Sequence, residues 1–296
     1  MPPENLLIKV NFIMPNDYHE QNRLSWNEAT RRHNEHKGDQ AKFLREGGST
    51  LFPEERELLG EVNGQSLLHL QCNAGQDTLS IASELGADVT GVDISDEAVE
   101  FATRLSAESG IPGTFIRSDL FDWFDQNKQI FDVVFTSYGT TGWLSDLSRW
   151  GRGVAAALKP GGKFAMVEFH PAAVMFERDW TLHYDYMGGG LITSSGIGDY
   201  VAESGGGLTN TGVPVEAKET YVNPQGSYEF PWGIADHITA LLDAGLTIKL
   251  LREYPFTNGW KPFPDMIEGE GRRMFPPKDK PTIPLMFAII AVKPNL

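Results

Sequence analysis

Cysteine and basic residues are scarce in this 296-residue chain. The single cysteine, Cys72, permits no internal disulfide and no cysteine cluster for zinc, which is typical of a protein in the reducing cytoplasm. Lys and Arg number 25 against 40 Asp and Glu, for a net charge of -15. This charge argues against nucleic acid or an anionic membrane surface as a partner and favours a small molecule.

Long hydrophobic runs are also missing. The apolar stretch at residues 6–14 is too short to span a membrane and lacks the cleavage-site pattern of a signal peptide. We interpret it as a strand or a docking arm. Polar, helix-prone sequence follows it, so residues 1–60 are predicted to form an N-terminal helical cap segment.

A strand, a loop, a helix and a second strand are predicted in residues 66–95. The first apolar run has no polar face, as in a parallel strand that helices cover on both sides. Gly75 lies where the chain must turn, and Asp93 lies eighteen residues later at the end of the second strand. In doubly wound folds an acidic residue at this position contacts a ribose. The unit therefore predicts a nucleoside site.

The loop of this unit lacks the glycines of a dinucleotide site. A pyrophosphate requires G-x-G-x-x-G, so that bare backbone can approach it at the helix N-terminus. The aligned positions here are Gln71, Asn73, Gly75 and Asp77, of which only one is glycine. Asp77 would repel a diphosphate but suits a ligand ammonium group. S-adenosylmethionine carries a sulfonium, an ammonium and a carboxylate but no phosphate, so the loop favours this cofactor.

Three further strands are predicted, each followed by polar residues. Asp119 follows the third strand, where it either accepts a hydrogen bond from an adenine amino group or caps the next helix, and the two roles are compatible. Ser137 and Tyr138 follow the apolar run FDVVFT, and His170 follows the strand that comes after the turn LKPGGKF. Ligands of open α/β sheets bind at this carboxyl edge.

Taken in order, these features resemble the class I S-adenosylmethionine-dependent methyltransferases. The resemblance covers about residues 64–170, and the LKPGG turn is its most specific part. It implies an α/β fold with a doubly wound, seven-stranded and mostly parallel Rossmann-like sheet whose last strand is antiparallel. It also implies that Asp93 holds both ribose hydroxyls. Gln71 stands where the family has an acid, so Asp77 or Asn73 takes over the cofactor ammonium.

The resemblance also predicts how the rest of the chain is organised. Residues 61–296 are expected to form the methyltransferase domain, with strands six and seven at 247–254 and 284–292. Residues 171–231 are expected to be a lid insertion after strand five, because so long a loop is usually functional. Alternation in TLHYDYM and EAKETYV predicts a few antiparallel strands there.

The predicted cofactor site holds S-adenosyl-L-methionine, with S-adenosyl-L-homocysteine as the product. Its residues are Gln71, Cys72, Asn73, Gly75, Asp77, Asp93, Ile94, Asp119, Leu120 and Ser137. The candidates for catalysis are His170, Tyr138 and Tyr184. His170 directly follows strand five and has an ordinary pKa near ~6.5, although a structural hydrogen bond to the lid is an equally open role. Tyr184 shares a predicted strand face with Tyr186, either packing the lid or forming an aromatic wall beside the sulfonium.

The sequence thus predicts methyl transfer to a small-molecule acceptor whose reacting atom, N, O, S or C, stays open. Four tryptophans are expected near the mouth of an aromatic-lined acceptor pocket: Trp26, Trp143, Trp180 and Trp232. No metal is expected, because Tyr138 and His170 stand where a metal-assisted reaction would need carboxylates. We expect a monomer or homodimer in the cytoplasm, without nucleic-acid or membrane partners. The alternatives are a nicotinamide-dependent oxidoreductase, which the missing glycines disfavour, and a non-catalytic nucleoside-binding protein of the same fold.

Overall fold

The computed structural model describes residues 15–127, 129–187, 190–205, 208–209 and 221–295. The apolar stretch 6–14 and most of the EAKETYV segment lie outside the described residues. No helix in the described part of the chain is both long and apolar enough to cross a bilayer.

A seven-stranded sheet forms the centre of the protein. Its strands are β1 Ser66–Leu70, β2 Asp88–Asp93, β3 Thr114–Arg117, β4 Phe131–Ser137, β5 Leu158–Phe169, β6 Thr247–Tyr254 and β7 Met286–Val292. They lie in the order β3-β2-β1-β4-β5-β7-β6. Strands β1 to β5 pair in parallel, whereas β7 pairs antiparallel with both β5 and β6. The predicted doubly wound sheet with an antiparallel last strand is confirmed.

The described helices begin and end where the sequence supplies capping residues. They are α1 Pro15–Glu35, α2 Gln40–Arg45, α3 Pro53–Leu59, α4 Gln76–Leu85, α5 Asp96–Ser109, α6 Leu120–Gln126, α7 Leu147–Ala157, α8 Tyr200–Glu203 and α9 Ile234–Asp243. The side chains of Ser95, Asp119 and Asp146 accept backbone N–H groups in the first turns of α5, α6 and α7. Gly86 and Gly110 end α4 and α5 in the left-handed conformation.

Helices bury both faces of the sheet at its centre, which explains why β1 and β4 are apolar, whereas the edge strands β3 and β6 are partly exposed. Side chains of α6, α7 and α9 cover one face, where the fully buried Trp150 packs edge-on against Phe164 of β5 with ring centroids 5.4 Å apart. Side chains of α3 and α4 cover the other face around Phe135 of β4. Burying an aromatic ring of this size contributes roughly 1.5–3 kcal/mol, so the sheet is a rigid platform for the loops at its edge.

Strand β5 starts at Leu158 and not after the LKPGGKF turn as predicted. The LKPGG sequence lies inside the paired segment, where Gly161 has φ of 76° and the register with β4 shifts between Phe131 and Val133. The turn is therefore an irregularity within the strand, at the edge opposite to the cofactor loop.

The region predicted as a lid consists of short elements. Strands Ile192–Ser194 and Ser227–Glu229 pair antiparallel, which agrees with the expected strand type but not with the expected location. The TLHYDYM segment is not a strand: it contributes one isolated bridge, between Phe176 and Leu182. A second small sheet, of Thr257–Asn258, Ile267–Glu268 and Arg273–Phe275, follows β6.

Helix α1 packs against this region along its length. The Asn22 side chain exchanges two 2.8 Å hydrogen bonds with the backbone of Tyr228, and Asn223 donates to the Ser25 carbonyl at 3.0 Å. Near the other end of α1, His33 contacts the Gly198 carbonyl at 2.9 Å. We call α1 together with residues 190–205 and 221–231 the cap layer.

Candidate active site

A cavity of about 470 Å³ lies between the carboxyl ends of β1, β2 and β4 and the cap layer. Its size falls within the range of small-molecule sites. The lining includes ten residues predicted from the sequence: Gln71, Cys72, Asn73, Asp77, Asp93, Ile94, Asp119, Leu120, Ser137 and Tyr138. The structure therefore brings nearly the whole predicted cofactor set together.

The loop after β1 takes an unusual backbone path. Gln71 and Asn73 have φ of 52° and 48°, and Gly75 has φ of 77° at the N-terminus of α4. A Cβ on Gly75 would lie 2.7 Å from Cβ of Ala102 on α5, so no larger residue fits. Gly75 does not line the cavity, and its contribution is to let the loop turn beneath it.

Asp93 lies at the end of β2 and is fixed by the loop it faces. Its two oxygens accept the backbone N–H groups of Asn73 at 2.8 Å and Ser95 at 2.9 Å. Burial raises the pKa of Asp93 to about 6, although these hydrogen bonds favour the ionised form. A carboxylate at this position is an acceptor for ligand hydroxyl groups.

Asp119 caps the next helix, which is one of the two roles that the sequence left open. Its Oδ1 accepts the N–H groups of Phe121 and Asp122, so it caps α6, and the side chain also lines the cavity. His19 of α1 lies 2.6 Å from its Oδ2. Because Ser145 N–H donates to the other ring nitrogen of His19, the proton is on Nδ1 and points at Asp119. Burial opposes ionisation, but these donors hold the pKa of Asp119 below its usual value.

Oppositely charged side chains meet near the start of α4. Asp77 accepts a hydrogen bond from the Thr50 hydroxyl, and Lys37 and Arg272 line the same part of the cavity. Burial lowers the pKa of Lys37 to about 8, while the charge of Asp77 acts in the opposite direction. No ion pair within 4 Å joins Lys37 to Asp77 in the described ranges. The space between them suits a ligand that carries both charges.

Glu168 fixes the loop that follows β4. Its side chain, 4% exposed, accepts the backbone N–H groups of Gly139, Thr140 at 2.7 Å and Thr141 at 3.2 Å, together with the Thr140 hydroxyl. Glu168 also lines the cavity. Sequence reasoning missed it, because the residue sits inside an apolar strand and nothing local indicates what it binds.

His237 and Tyr138 both bring polar atoms to the cavity lining. The Gly233 carbonyl lies 2.8 Å from Nδ1 of His237, so that nitrogen carries the proton and Nε2 accepts the Thr141 hydroxyl at 2.9 Å. The Tyr138 hydroxyl accepts a 2.9 Å hydrogen bond from Asn258. Burial raises the pKa of Tyr138 well above its usual value, so its phenol is a donor and not a base.

Aromatic side chains form most of the remaining wall. Trp26, Trp143 and Trp232 line the cavity as predicted for the mouth of an aromatic pocket, and Trp26 packs against Trp143 with ring centroids 5.4 Å apart. Trp180 does not line it, because its ring stacks on Phe263 at 3.6 Å.

Two of the three predicted catalytic residues lie outside the cavity lining. His170 accepts the Ala172 N–H on Nδ1 and directs Nε2 at Glu253 on β6, 2.9 Å away, whereas its neighbours Phe169 and Pro171 line the cavity. Tyr184 is 39% exposed and donates to Glu177 at 3.2 Å. Without the predicted strand, Tyr184 and Tyr186 share no face, and it is Tyr186 that lines the cavity.

Comparison with known proteins agrees with this architecture. Residues 67–162 match the model of a methyltransferase domain. The ubiquinone biosynthesis O-methyltransferase of Vibrio vulnificus is 36% identical over 99 residues, which are 33% of this chain and 41% of that protein. The match thus spans less than half the length of this relative.

Solved structures share the fold over most of the chain. An S-adenosylmethionine-dependent methyltransferase from Mesorhizobium loti has a TM-score of 0.51 at 21% identity and covers 81% of this chain and 96% of its own. A second such enzyme, from Clostridium acetobutylicum, has a TM-score of 0.53 at 13% identity and covers 81% and 88%. These structures are less than 25% identical to this chain, so they show a shared fold, and residues 67–162 match a methyltransferase domain.

Proposed function

We propose that the protein transfers a methyl group from S-adenosylmethionine to a small-molecule acceptor. The observation that carries this proposal is Asp93, a buried carboxylate at the end of β2 that faces a cavity of about 470 Å³ beside a loop with a single glycine. The carboxylate suits ribose hydroxyls, and the glycine-poor loop suits a cofactor without phosphate. The matched methyltransferase domain supports the same reading.

The residues around the cavity fit this cofactor. Asp93 would accept the ribose hydroxyls, while Ile94, Asp119 and Leu120 would surround the adenine. Gln71 uses its Nε2 to donate to the Thr140 carbonyl at 2.8 Å, and its buried Oε1 has no partner among the described residues. A ligand donor at this point would satisfy that atom.

The methionine end would lie between Asp77 and Lys37. The amino acid part of the cofactor is a zwitterion, and these two side chains offer one acceptor and one cationic donor to the same part of the cavity. Asp77 would hold the ammonium and Lys37 the carboxylate. The Asp77 carboxylate would repel a diphosphate, which counts against a nicotinamide cofactor.

When bound, the cofactor supplies a methyl group on a sulfonium for in-line displacement. The chain contributes position and shielding. Glu168 holds the Gly139–Thr141 loop in place, and the cap layer covers the cavity from above. Tyr138 would donate its hydroxyl to a bound group. The Thr141 hydroxyl donates a hydrogen bond to the neutral His237. A proton that the methyl acceptor releases would pass through Thr141 to this imidazole.

The acceptor is not assigned from the relatives, because the matched residues 67–162 cover the cofactor half of the fold. The cap layer, which forms the other half of the cavity, lies outside that match. We further propose that the protein acts as a monomer or homodimer in the cytoplasm. Its single cysteine, a buried thiol whose pKa is raised by burial, supports the cytoplasmic location.

Titration calorimetry with S-adenosylmethionine, S-adenosylhomocysteine and NAD tests the proposal. We expect the first two to bind and NAD to bind far more weakly. Tight binding of NAD alone would contradict the proposal and favour the oxidoreductase alternative. Binding of the sulfonium cofactor without turnover of any acceptor would favour the non-catalytic alternative.

A further inference from the structure

The charges on the cavity wall are unevenly distributed. The cationic side chains Lys37 and Arg272 lie near Asp77, at the end assigned above to the methionine group. On the cap side, the lining includes the carboxylates of Glu229 and Asp185. The part of the cavity left for the acceptor therefore has negative charge.

Glu229 is directed into this part of the cavity by the short cap sheet. It ends the strand Ser227–Glu229 and pairs with Ile192, which also lines the cavity. The intervening residue, Tyr228, packs instead against Tyr18 of α1 with ring centroids 4.9 Å apart. Alternation along the strand thus places Glu229 on the cavity side.

No donor reaches the Glu229 carboxylate from the residues that the structure describes. Its side chain is half-buried, and burial raises its pKa with no charged neighbour acting against this. An unpaired carboxylate that has lost much of its water is unfavourable, and a ligand cation would supply the missing partner.

Aromatic rings surround the same point. Phe230 and Trp232, one and three residues after Glu229, line the cavity, and so does Tyr186, whose hydroxyl lies 3.5 Å from the Ile234 nitrogen. Faces of aromatic rings attract cations and also pack flat apolar groups. The net charge of -15 would raise the local concentration of cationic ligands over anionic ones.

We infer that the methyl acceptor is a small aromatic or apolar molecule that carries an ammonium group, and that Glu229 is the residue that recognises this charge. The inference rests on the proposed methyltransferase function, since it concerns the part of the cavity left beside the cofactor. Asp185 is exposed at the mouth and adds to the attraction. The ammonium is a recognition group, so the methylated atom need not be the same nitrogen.

Three probes of similar size and different charge test this inference. With S-adenosylhomocysteine saturating, calorimetry measures the affinities of 2-phenylethylamine, 2-phenylethanol and 3-phenylpropionate. We expect the amine to bind at least about tenfold more tightly than the other two, because it alone forms a charge-assisted hydrogen bond with Glu229. Glu229→Gln should remove this preference, and Glu229→Lys should shift it towards 3-phenylpropionate.

The matched control is Glu203→Gln, which alters an exposed carboxylate of the cap layer that pairs with Arg178. It should leave the affinity for all three probes unchanged. S-adenosylhomocysteine affinity should be unaffected in every variant, which also shows that each one folds. Equal or tighter binding of the carboxylate to the natural protein, an unchanged amine affinity in Glu229→Gln, or no binding of any probe would overturn the inference. Failure of S-adenosylhomocysteine to bind the natural protein would instead overturn the proposed function, and the inference with it.

Discussion

The two walls of the cavity are built in different ways. On the sheet side, the Asp93 carboxylate accepts the backbone N–H of Asn73, twenty residues away, where the paired strands β1 and β2 end. On the cap side, the side-chain amide of Asn22 forms two hydrogen bonds with the backbone of Tyr228, 206 residues away. The sheet wall depends on local sequence and the cap wall on the docking of distant segments.

This difference has an energetic consequence. The sheet wall is continuous with the buried core, so opening it requires unfolding of the domain. The cap layer is held largely by polar side-chain contacts such as those of Ser25 and Asp199. Segments with few apolar contacts open at lower free energy than the core. We therefore expect the cap layer to open for exchange of ligands while the sheet wall keeps its shape.

The largest effect is expected at Glu168, which lies where the two walls meet. Glu168→Gln replaces one oxygen by an NH₂ group that faces backbone N–H donors, so we expect a loss of about 2–4 kcal/mol in the free energy of unfolding. Chemical denaturation of the variant measures this loss. Glu253→Gln, on the exposed side of β6, is the control and should lose well under half as much. Equal losses would mean that the loop does not depend on Glu168.

The next effect concerns the sheet wall alone. Asp93→Ala should weaken S-adenosylhomocysteine binding by roughly 1.5–3 kcal/mol, because charge-assisted hydrogen bonds to the ribose are lost. Asp88 is the control, since it lies exposed at the other end of the same strand and Asp88→Ala should bind normally. Calorimetry decides the matter, and an unchanged affinity in Asp93→Ala would mean that the ribose site is elsewhere.

The pKa of Asp93 predicts a pH dependence of the same wall. With a pKa raised to about 6 in the free protein, the carboxylate becomes protonated and loses acceptor capacity as pH falls below 6. Cofactor affinity should be level between this value and the pKa of about 8 of Lys37, and should fall towards about tenfold per pH unit below pH 6. The stability contribution has the opposite sign: a raised carboxyl pKa makes the folded state bind the proton more readily, so this group favours folding as pH falls from about 6 to 4.

Calorimetry from pH 5 to pH 8 checks the affinity. In Asp93→Asn the step near pH 6 should be absent, whereas in the control Asp88→Asn it should persist. A flat profile for the natural protein would contradict the assignment of the ribose contact to Asp93.

The same division explains what the sequence could and could not reveal. The strand Thr247–Tyr254 has the predicted bounds, because the side-chain pattern of a strand is set over a few neighbouring positions. His19 of α1 and Lys37, which follows α1, were missed because tertiary packing brings them to the cavity. His19, for example, contacts Asp119, which is 100 residues away along the chain. His170 was predicted to face the cavity but does not line it, because a position at the end of a strand does not fix the direction of the side chain.

A smaller effect is expected in the cap layer at Asp199. Its Oδ2 lies 2.8 Å from both Arg32 of α1 and His36, which follows α1, while its other oxygen caps α8. Asp199→Asn should favour opening of the cap by about 1 kcal/mol, which corresponds to about fivefold faster release of S-adenosylhomocysteine. Stopped-flow measurements should find this in Asp199→Asn but not in Glu35→Gln, which removes the exposed partner of Arg32. An unchanged release rate would show that the cap does not gate the cavity.

The smallest effect on the chemistry is expected at His170. Its ring is held between the Ala172 N–H and Glu253 and has no atom in the cavity lining, so His170→Ala should change the rate of transfer less than about twofold. The buried polar contacts still matter for folding, so a loss of about 1 kcal/mol in stability is expected. His237→Ala is the matched comparison, because that buried histidine contacts Thr141 in the cavity wall and its removal should slow transfer much more. If His170→Ala were instead the slower variant with S-adenosylhomocysteine affinity intact, the turn after β5 would have to swing its imidazole into the cavity during catalysis, and the sheet wall would not be the rigid half of the site.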